Sequence, residues 1–130
     1  MEYISYKDAV LVHYLMMKRY GEGEHAGVKD EGLLESALHR PQQSLFGEDA
    51  YKTLWEKAAV LFHSLSRNHA FYNGNKRTAL AVTELFLKKN GYKLNREYNK
   101  EIEDFTVDVA RGALSVEKIA SELEKFAIER

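Results

Sequence analysis

Hydrophobic residues recur at helical spacing along most of this chain, and two neighbouring segments show the pattern most clearly. In residues 54–65 the apolar positions lie three or four apart and charged residues such as Lys57 take the other side, which predicts an amphipathic helix ending near Asn68. In residues 78–87 nearly every face is apolar, which predicts a helix buried on most sides. We therefore expect this second helix to form the centre of a helical bundle.

Four further helices are predicted around this pair. The first runs from about Ala9 to Tyr20, and the second ends before Pro41, because proline disfavours helical geometry in the residue that precedes it. A residue that can cap a helix stands at the start of each of the four: Ser5, Asp30, Asn99 and Ser115. No stretch alternates convincingly between apolar and polar residues, so the sequence predicts an all-α class with about six helices. We expect a single domain over residues 1–130.

Two segments between the predicted helices are expected to be loops. Residues 21–27 contain three glycines and little to bury, which is typical of a flexible loop. Residues 42–51 are irregular, with Leu45 and Phe46 isolated between polar residues. This apolar tip either packs on the body of the protein or meets a partner, and the sequence leaves both open. Leu45, Phe46 and Tyr92 are candidates for the rim of a partner-binding groove.

The composition narrows the classes of protein. Of the 130 residues, 45% are hydrophobic, which is enough for one compact domain with a sizeable core. The 19 Lys and Arg nearly balance the 20 Asp and Glu, which argues against a general nucleic-acid binder, because such binding needs a basic surplus. The absence of cysteine excludes disulfides and thiolate zinc sites. Without a targeting pattern or a membrane-length apolar run, we expect a soluble cytoplasmic protein that contacts neither membrane nor DNA directly.

Residues 69–78 (HAFYNGNKRT) form a polar turn between the two central helices. Lys76 and Arg77 lie where the second of these helices should begin. The amino-terminal end of a helix carries roughly half a positive charge, so each cation in the first turn is disfavoured by about 0.3–1 kcal/mol unless an anion is bound. We therefore predict a phosphate site over residues 73–77, formed by free backbone N–H groups and backed by the two cations.

Four other residues of the turn fit roles beside a bound phosphate. Gly74 permits a positive φ and removes a side chain that would keep a phosphate from the backbone. His69, at the opposite end of the loop, can accept a proton from a hydroxyl near neutral pH, which typically contributes ~10²–10⁴ in rate. Asn73 is placed to offer an oxygen to Mg²⁺, although an amide is a weaker ligand than a carboxylate. Phe71 lies between polar residues and is expected to point into the core and anchor the loop.

Each of these features also has an ordinary interpretation. Asn-Gly is a common turn dipeptide, neighbouring Lys and Arg are usually solvated, and a histidine near a helix end is more often a cap than a base. The ordinary interpretation is favoured for each feature alone, whereas their combination on one loop favours a site. A zinc site at His63 and His69 is disfavoured because no acidic partner stands at ligand spacing. Arg67 could reach the same pocket, and His13 is expected to be a structural or surface residue.

The turn matches the pattern H-x-F-x-[D/N]-G-N-K-R over residues 69–77, and with it the chain resembles the Doc (death on curing) toxins of the Fic/Doc superfamily. Residues 27–41 look like the second-helix segment of that family, and residues 86–92 are similar to the end of its central helix. The resemblance covers most of residues 1–125. It implies a compact six-helix Fic/Doc-like bundle with a buried central helix.

The resemblance also implies a function. Doc-like members are toxins of toxin–antitoxin modules that use ATP and Mg²⁺ to phosphorylate a Thr or Ser hydroxyl of a translation elongation factor. This arrests translation and growth, and a small cognate antitoxin silences the toxin. Carried over by the motif, His69 is the base, Asn73 is the metal position where the family often has Asp, and the phosphate contacts are Gly74, Asn75, Lys76 and Arg77. No self-inhibitory helix pattern is present, so control is expected from another chain.

Two alternatives to this kinase assignment stay open. The AMP-transferring branch of the superfamily carries H-P-F-x-[D/E]-G-N-G-R-x-x-R, in which the last glycine leaves room for phosphates and the final Arg clamps them. This chain has Lys76 and Leu80 at those two positions, which favours transfer of the γ-phosphate over AMP transfer to a protein hydroxyl. The other alternative is a module that binds a nucleotide or an acidic peptide without turnover, because Asn73 offers no carboxylate to a metal.

Overall fold

Six α-helices make up most of the chain, and their starts follow local capping signals. A computed structural model describes all residues, Met1–Arg130. The six-helix prediction is confirmed. The side chains of Ser5, Asp30, Thr53 and Ser115 each accept a hydrogen bond from the backbone N–H three residues further on. The helices are α1 (Tyr6–Tyr20), α2 (Glu31–His39), α3 (Leu54–Asn68), α4 (Asn75–Lys89), α5 (Asn99–Ala110) and α6 (Val116–Phe126), with two 3-10 turns at Arg40–Gln42 and Arg96–Tyr98.

Of two expectations about helix boundaries, the cap at Asn99 is wrong, whereas α2 ends at His39, before Pro41, as predicted. Asn99 does not cap α5, because it is already the first residue of that helix. The chain reaches it through the second 3-10 turn, whose start is capped by the side chain of Asn95. Arg40 keeps helical angles, φ −52° and ψ −41°, although it precedes Pro41. The chain tightens there into the first 3-10 turn, where a proline needs no N–H donor.

The hydrophobic core is one cluster of 24 buried residues to which all six helices contribute. α3 packs against α2, α4, α5 and α6, and its residues Ala58, Ala59 and Phe62 are fully buried. α4 packs against α1, α3 and α5, and Val82 and Phe86 on it are also fully buried. The predicted central helix is therefore α4, and α3 shares the centre with it. No helix combines the length and the apolar content that a membrane span requires.

Two small antiparallel strand pairs accompany the helices, and the sequence did not predict them. They are formed by β1 (Ser44–Leu45) with β2 (Glu48–Asp49) and by β3 (Tyr92–Leu94) with β4 (Ala127–Glu129). Strands of two or three residues are too short to show the alternation that identifies a strand from sequence. The second pair, with Lys93 opposite Ile128, ties the last residues of the chain to the segment that follows α4.

The hairpin formed by β1 and β2 projects its tip away from the body. The two tip residues, Phe46 and Gly47, both have positive φ, 52° and 80°, as a two-residue type I′ turn requires. Phe46 is 98% exposed and Leu45 is 62% exposed. Of the two alternatives that the sequence left open, packing of this tip on the body is therefore excluded.

A buried lysine fixes the base of this hairpin. Lys57 on α3, which the helical pattern places on the polar side, is only 2% exposed. Its ammonium group lies 3.2 Å from a carboxylate oxygen of Asp49 and donates to the carbonyl of Pro41 at 3.3 Å. A buried charge needs such partners. The hairpin and the first 3-10 turn supply them by covering this side of α3, which a helical pattern alone does not reveal.

Candidate functional site

The predicted polar turn connects α3 to α4, and a residue in the left-handed conformation stands at each end. His69 follows α3 as its C-cap, with φ 53° and ψ 50°. Gly74 precedes α4 with φ 71° and ψ 23° and offers no side chain to the helix start. The backbone N–H groups of residues 75–77 therefore have no acceptor in the protein and are free to bind an anion.

Gly74 lies directly against α1. A Cβ atom added to Gly74 would come within 2.6 Å of Met17 Sδ. From the sequence, the missing side chain was expected to leave room for a phosphate, whereas in the structure the space beside the glycine is filled by the α1 methionine. The glycine thus provides the positive φ and lets the turn pack closely on α1.

Asn75, the first residue of α4, closes the turn with its side chain. Its Oδ1 accepts a hydrogen bond from the backbone N–H of Phe71, and its Nδ2 donates to the Phe71 carbonyl, both at 3.0 Å. The backbone N–H of Asn75 and the second hydrogen of its Nδ2 are left for a ligand. Phe71 is 1% exposed, and its ring stacks on that of His13 with centroids 4.1 Å apart. These contacts define the shape of the turn before any ligand binds.

Residues 21–27, called the strap below, run beside the turn and are hydrogen-bonded to it. The Gly27 carbonyl accepts from the N–H of Tyr72 at 3.1 Å, and the His25 carbonyl accepts from Nδ2 of Asn73 at 2.9 Å. The rings of His25 and Tyr72 are stacked, with centroids 4.1 Å apart. The strap was predicted from its glycines to be a flexible loop, and in the structure its second half is attached to the turn.

His13 on α1 supports both the strap and the turn from the core side. Its side chain is fully buried, its Nε2 accepts from the N–H of Gly27 at 2.9 Å, and its Nδ1 lies 3.1 Å from Thr78 Oγ1. Burial lowers the pKa of His13 from 6.5 to about 4, so the ring is neutral at pH 7. Sequence reasoning did not assign it to the site. The only sign of its burial in the sequence was its spacing, which places His13 on the same helical face as Ala9 and Met17.

The free energy of unfolding is expected to fall as the pH drops from 6.5 towards 4. In that range the unfolded chain binds a proton at His13 and the folded chain does not, because the folded pKa is about 4. The loss attributable to this histidine is about 3 kcal/mol, complete once both states are protonated. Urea unfolding at pH 7 and pH 4.5 measures most of this loss, because pH 4.5 lies between the unfolded and folded pKa values of His13. A His13→Phe variant should lose less stability over the same interval, and an equal loss in both proteins would contradict the assignment.

A groove of about 1080 Å³ opens beside the turn. His69 and Asn73 line it at the turn, and the groove continues along α4 past Leu80 to Glu84. The opposite wall is formed by α5 and by Arg96, whose guanidinium lies 3.3 Å from a carboxylate oxygen of Glu84. All the predicted polar site residues, from His69 to Arg77, therefore face one cavity.

Two residues of the site have no partner within the protein. His69 and Lys76 are both exposed at the groove, and neither side chain makes a hydrogen bond or an ion pair. Arg77 differs, because its guanidinium donates to the carbonyl of Tyr20 at 3.3 Å and lies over the Tyr20 ring at 4.5 Å. Lys76 is therefore the cation most available to a ligand, while Arg77 is tied to the end of α1.

The donor set near the turn does not form a resident metal site. No group of three or more histidine or acidic side chains could hold a metal ion. Asn73 lines the groove, and because its Nδ2 is bonded to the His25 carbonyl, its Oδ1 is the free oxygen. Mg²⁺ at phosphate-transfer sites is bound largely by substrate phosphates and water. The residues present thus fit an Mg²⁺ ion that arrives with a triphosphate, and Asn73 would contact it.

Two other residues near the turn serve the fold. Arg67 donates to the carbonyl of Ala110 at 2.9 Å and does not line the groove, so the expectation that it reaches the pocket is wrong. His63 lies 3.2 Å from Nη1 of Arg40. Burial, followed by the charges of Arg40 and Arg67, lowers the pKa of His63. Neither residue belongs to a cluster of three or more histidine or acidic side chains.

Comparison with known proteins extends the likeness beyond the turn. The model of the Fic/DOC family matches residues 3–87. Toxin Doc from Mycolicibacterium smegmatis is 45% identical over 106 residues, which cover 81% of this chain and 82% of that protein. Protein kinase doc from Escherichia phage P1 is 33% identical over 126 residues, 97% of this chain and 96% of that protein. The similarity is therefore one of nearly whole chains rather than of a short motif.

Proposed function

This chain belongs to the Fic/DOC family, and we propose that it transfers the γ-phosphoryl group of ATP to a Thr or Ser hydroxyl of a translation elongation factor. In this role it is the toxin of a toxin–antitoxin module, and it arrests translation and growth until a cognate antitoxin binds. The observation that carries the proposal is the unpartnered His69 across one turn from the free N–H groups of residues 75–77 and the Lys76 ammonium. Of the two relatives, the name Toxin Doc supports the role as a toxin, and the name Protein kinase doc supports phosphoryl transfer.

The proposed reaction is an in-line transfer. His69 accepts the proton of the substrate hydroxyl, whose oxygen attacks the γ-phosphorus while the bond to the departing ADP oxygen breaks. The free N–H groups at the start of α4 and Lys76 offset the negative charge on the transferred group. Asn73 would hold an Mg²⁺ ion that binds together with the nucleotide, and that ion would supply positive charge to offset the charge of the phosphates. The products are a phosphorylated hydroxyl and ADP.

In this proposal the rest of the nucleotide lies in the groove along α4. From Arg77 to Glu84 the α4 wall extends by about 10 Å at 1.5 Å per residue, which suits the length beyond the γ-phosphate. Leu80 and Ile102 give the middle of the groove an apolar surface, and the polar groups of Arg96 lie beyond it. In this proposal the nucleoside lies in that part of the groove and the γ-phosphate is the group nearest to His69.

The position of a radioactive label separates the two transfer reactions. The purified protein is incubated with elongation factor, Mg²⁺ and ATP labelled at either the α or the γ position. The proposal predicts that only the γ label becomes attached to the elongation factor and that ADP is released. Attachment of the α label would instead identify an AMP transferase and exclude the kinase assignment.

A binding module without turnover is the second candidate, and the missing carboxylate at position 73 favours it. The two candidates differ in what His69 contributes. A kinase needs His69 for growth arrest, whereas a binding module needs only the phosphate contacts. If His69→Ala leaves growth arrest intact and Lys76→Ala abolishes nucleotide binding, the binding module replaces the kinase.

A further inference from the structure

We propose that His13 is a positioning residue for this reaction: from the buried face of α1 it holds the strap, the turn and the first turn of α4 in one arrangement. The proposal rests on the proposed function, because the segment that it positions is the proposed phosphate site. His13 does not touch the groove, so its effect is transmitted through the residues that it contacts.

The hydrogen bonds of His13 fix which nitrogen carries the proton. The backbone N–H of Gly27 can only donate, so Nε2 of His13 must be the acceptor in the 2.9 Å contact. A neutral imidazole then carries its proton on Nδ1, which donates to Thr78 Oγ1 at 3.1 Å. One side chain thus satisfies a donor on the strap and an acceptor on α4, and both of its nitrogens are engaged.

Each residue that His13 contacts either belongs to the turn or is hydrogen-bonded to it. Gly27, bonded to His13 through its N–H, is bonded through its carbonyl to the N–H of Tyr72 in the turn. The N–H of Thr78 donates to the carbonyl of Gly74 at 2.9 Å and so closes the first turn of α4. The ring of Phe71 stacks on His13 at 10° between planes. His13 therefore touches the turn at its start and at its end, and touches the strap that borders it.

An apolar ring at position 13 could not make the two hydrogen bonds of His13. A phenylalanine at position 13 would keep the stacking on Phe71 but would leave the Gly27 N–H without an acceptor and the Thr78 hydroxyl without its donor. A buried polar group that loses its partner is destabilising, so the strap and the start of α4 would shift towards other partners. The free N–H groups of residues 75–77 move with that helix start, and small displacements there are costly because transfer needs close alignment.

Two threonines on α4 provide a matched test. Thr78 and Thr83 are both fully buried, but only the hydroxyl of Thr78 contacts His13, whereas that of Thr83 has no hydrogen-bond partner. Thr78→Val and His13→Phe are compared with Thr83→Val in the full-length protein. The readouts are the amide resonances of residues 74–77, the affinity for inorganic phosphate and the kcat of phosphoryl transfer.

For Thr78→Val and His13→Phe we expect displaced amide resonances of residues 74–77, phosphate affinity weakened about tenfold and kcat lowered about tenfold to a hundredfold. Thr83→Val should match the wild-type protein in all three. A purely structural role would lower the melting temperature but would leave phosphate affinity and kcat unchanged at temperatures where the variants are folded. That result overturns the proposal. If His13→Phe does not fold, Thr78→Val decides, because it preserves shape and removes only the acceptor.

The outcome for His13 is separable from the outcome for the proposed function. A wild-type protein that transfers no phosphate fails as a kinase, but displaced resonances and weaker phosphate binding in Thr78→Val would still support positioning by His13. A wild-type protein that is an active kinase, with Thr78→Val and His13→Phe equally active, retains the function and loses the positioning role.

Discussion

Replacing His69 with asparagine is expected to slow phosphoryl transfer by about 10²–10⁴-fold and to leave phosphate binding unchanged. The substitution removes the proposed base but leaves the N–H groups of residues 75–77 and Lys76 in place. Asparagine is the better replacement because residue 69 has φ 53°, a conformation that asparagine tolerates and alanine does not favour. Initial rates with γ-labelled ATP and a titration with inorganic phosphate measure the two effects separately.

His39→Asn is the matched control for this experiment. His39 is an exposed histidine at the end of α2 and does not line the groove. Its replacement should leave the transfer rate at the wild-type value. A wild-type rate in His69→Asn would remove His69 from the mechanism, whatever the phosphate affinity.

Replacing Gly74 with alanine is expected to lower the free energy of unfolding by about 1–2 kcal/mol and to abolish most phosphate binding. The residue has φ 71°, and its new Cβ would lie 2.6 Å from Met17 Sδ. The turn must lift from α1 to relieve this contact, which displaces the N–H groups that follow. Urea unfolding measures the loss of stability, and titration with inorganic phosphate measures the loss of binding.

Gly47→Ala separates the two causes of this loss. Gly47 has a similar φ of 80°, but a Cβ there would meet nothing within 4 Å, so this variant carries the backbone strain without the contact. It should lose less stability than Gly74→Ala and keep wild-type phosphate binding. Adding Met17→Ala to Gly74→Ala should restore part of the binding. If Gly74→Ala binds phosphate normally, the close packing on α1 has no part in the site.

Local signals predicted the scaffold of the site well. The helical spacing before Asn68 and the run after the turn placed α3 and α4 with bounds close to those observed. The left-handed geometry at Gly74 followed from the residue type alone. Such features depend on residues a few positions apart, which is the range over which periodicity and capping operate.

Contacts between distant segments could not be predicted in the same way. The His25 carbonyl and Asn73 are 48 positions apart, and His13 and Thr78 are 65 apart. The acceptors of the buried Lys57 ammonium group lie outside α3 as well, at Pro41 and Asp49. A single sequence carries no local pattern for such pairs, because each partner alone has an ordinary composition. The supports that α1 and the strap give to the turn were therefore missed, whereas the turn itself and its buried anchor Phe71 were predicted.

The dependence of the turn on α1 and the strap limits what could be transplanted. A graft of residues 69–78 onto another pair of helices would carry His69 and the helix start, but it would leave behind the methionine under Gly74 and the acceptor for the Asn73 amide. Such a chimera would reproduce the motif without its geometry. A portable version of the site would have to begin at α1 and extend into α4, which is nearly the stretch, residues 3–87, over which the Fic/DOC family model matches.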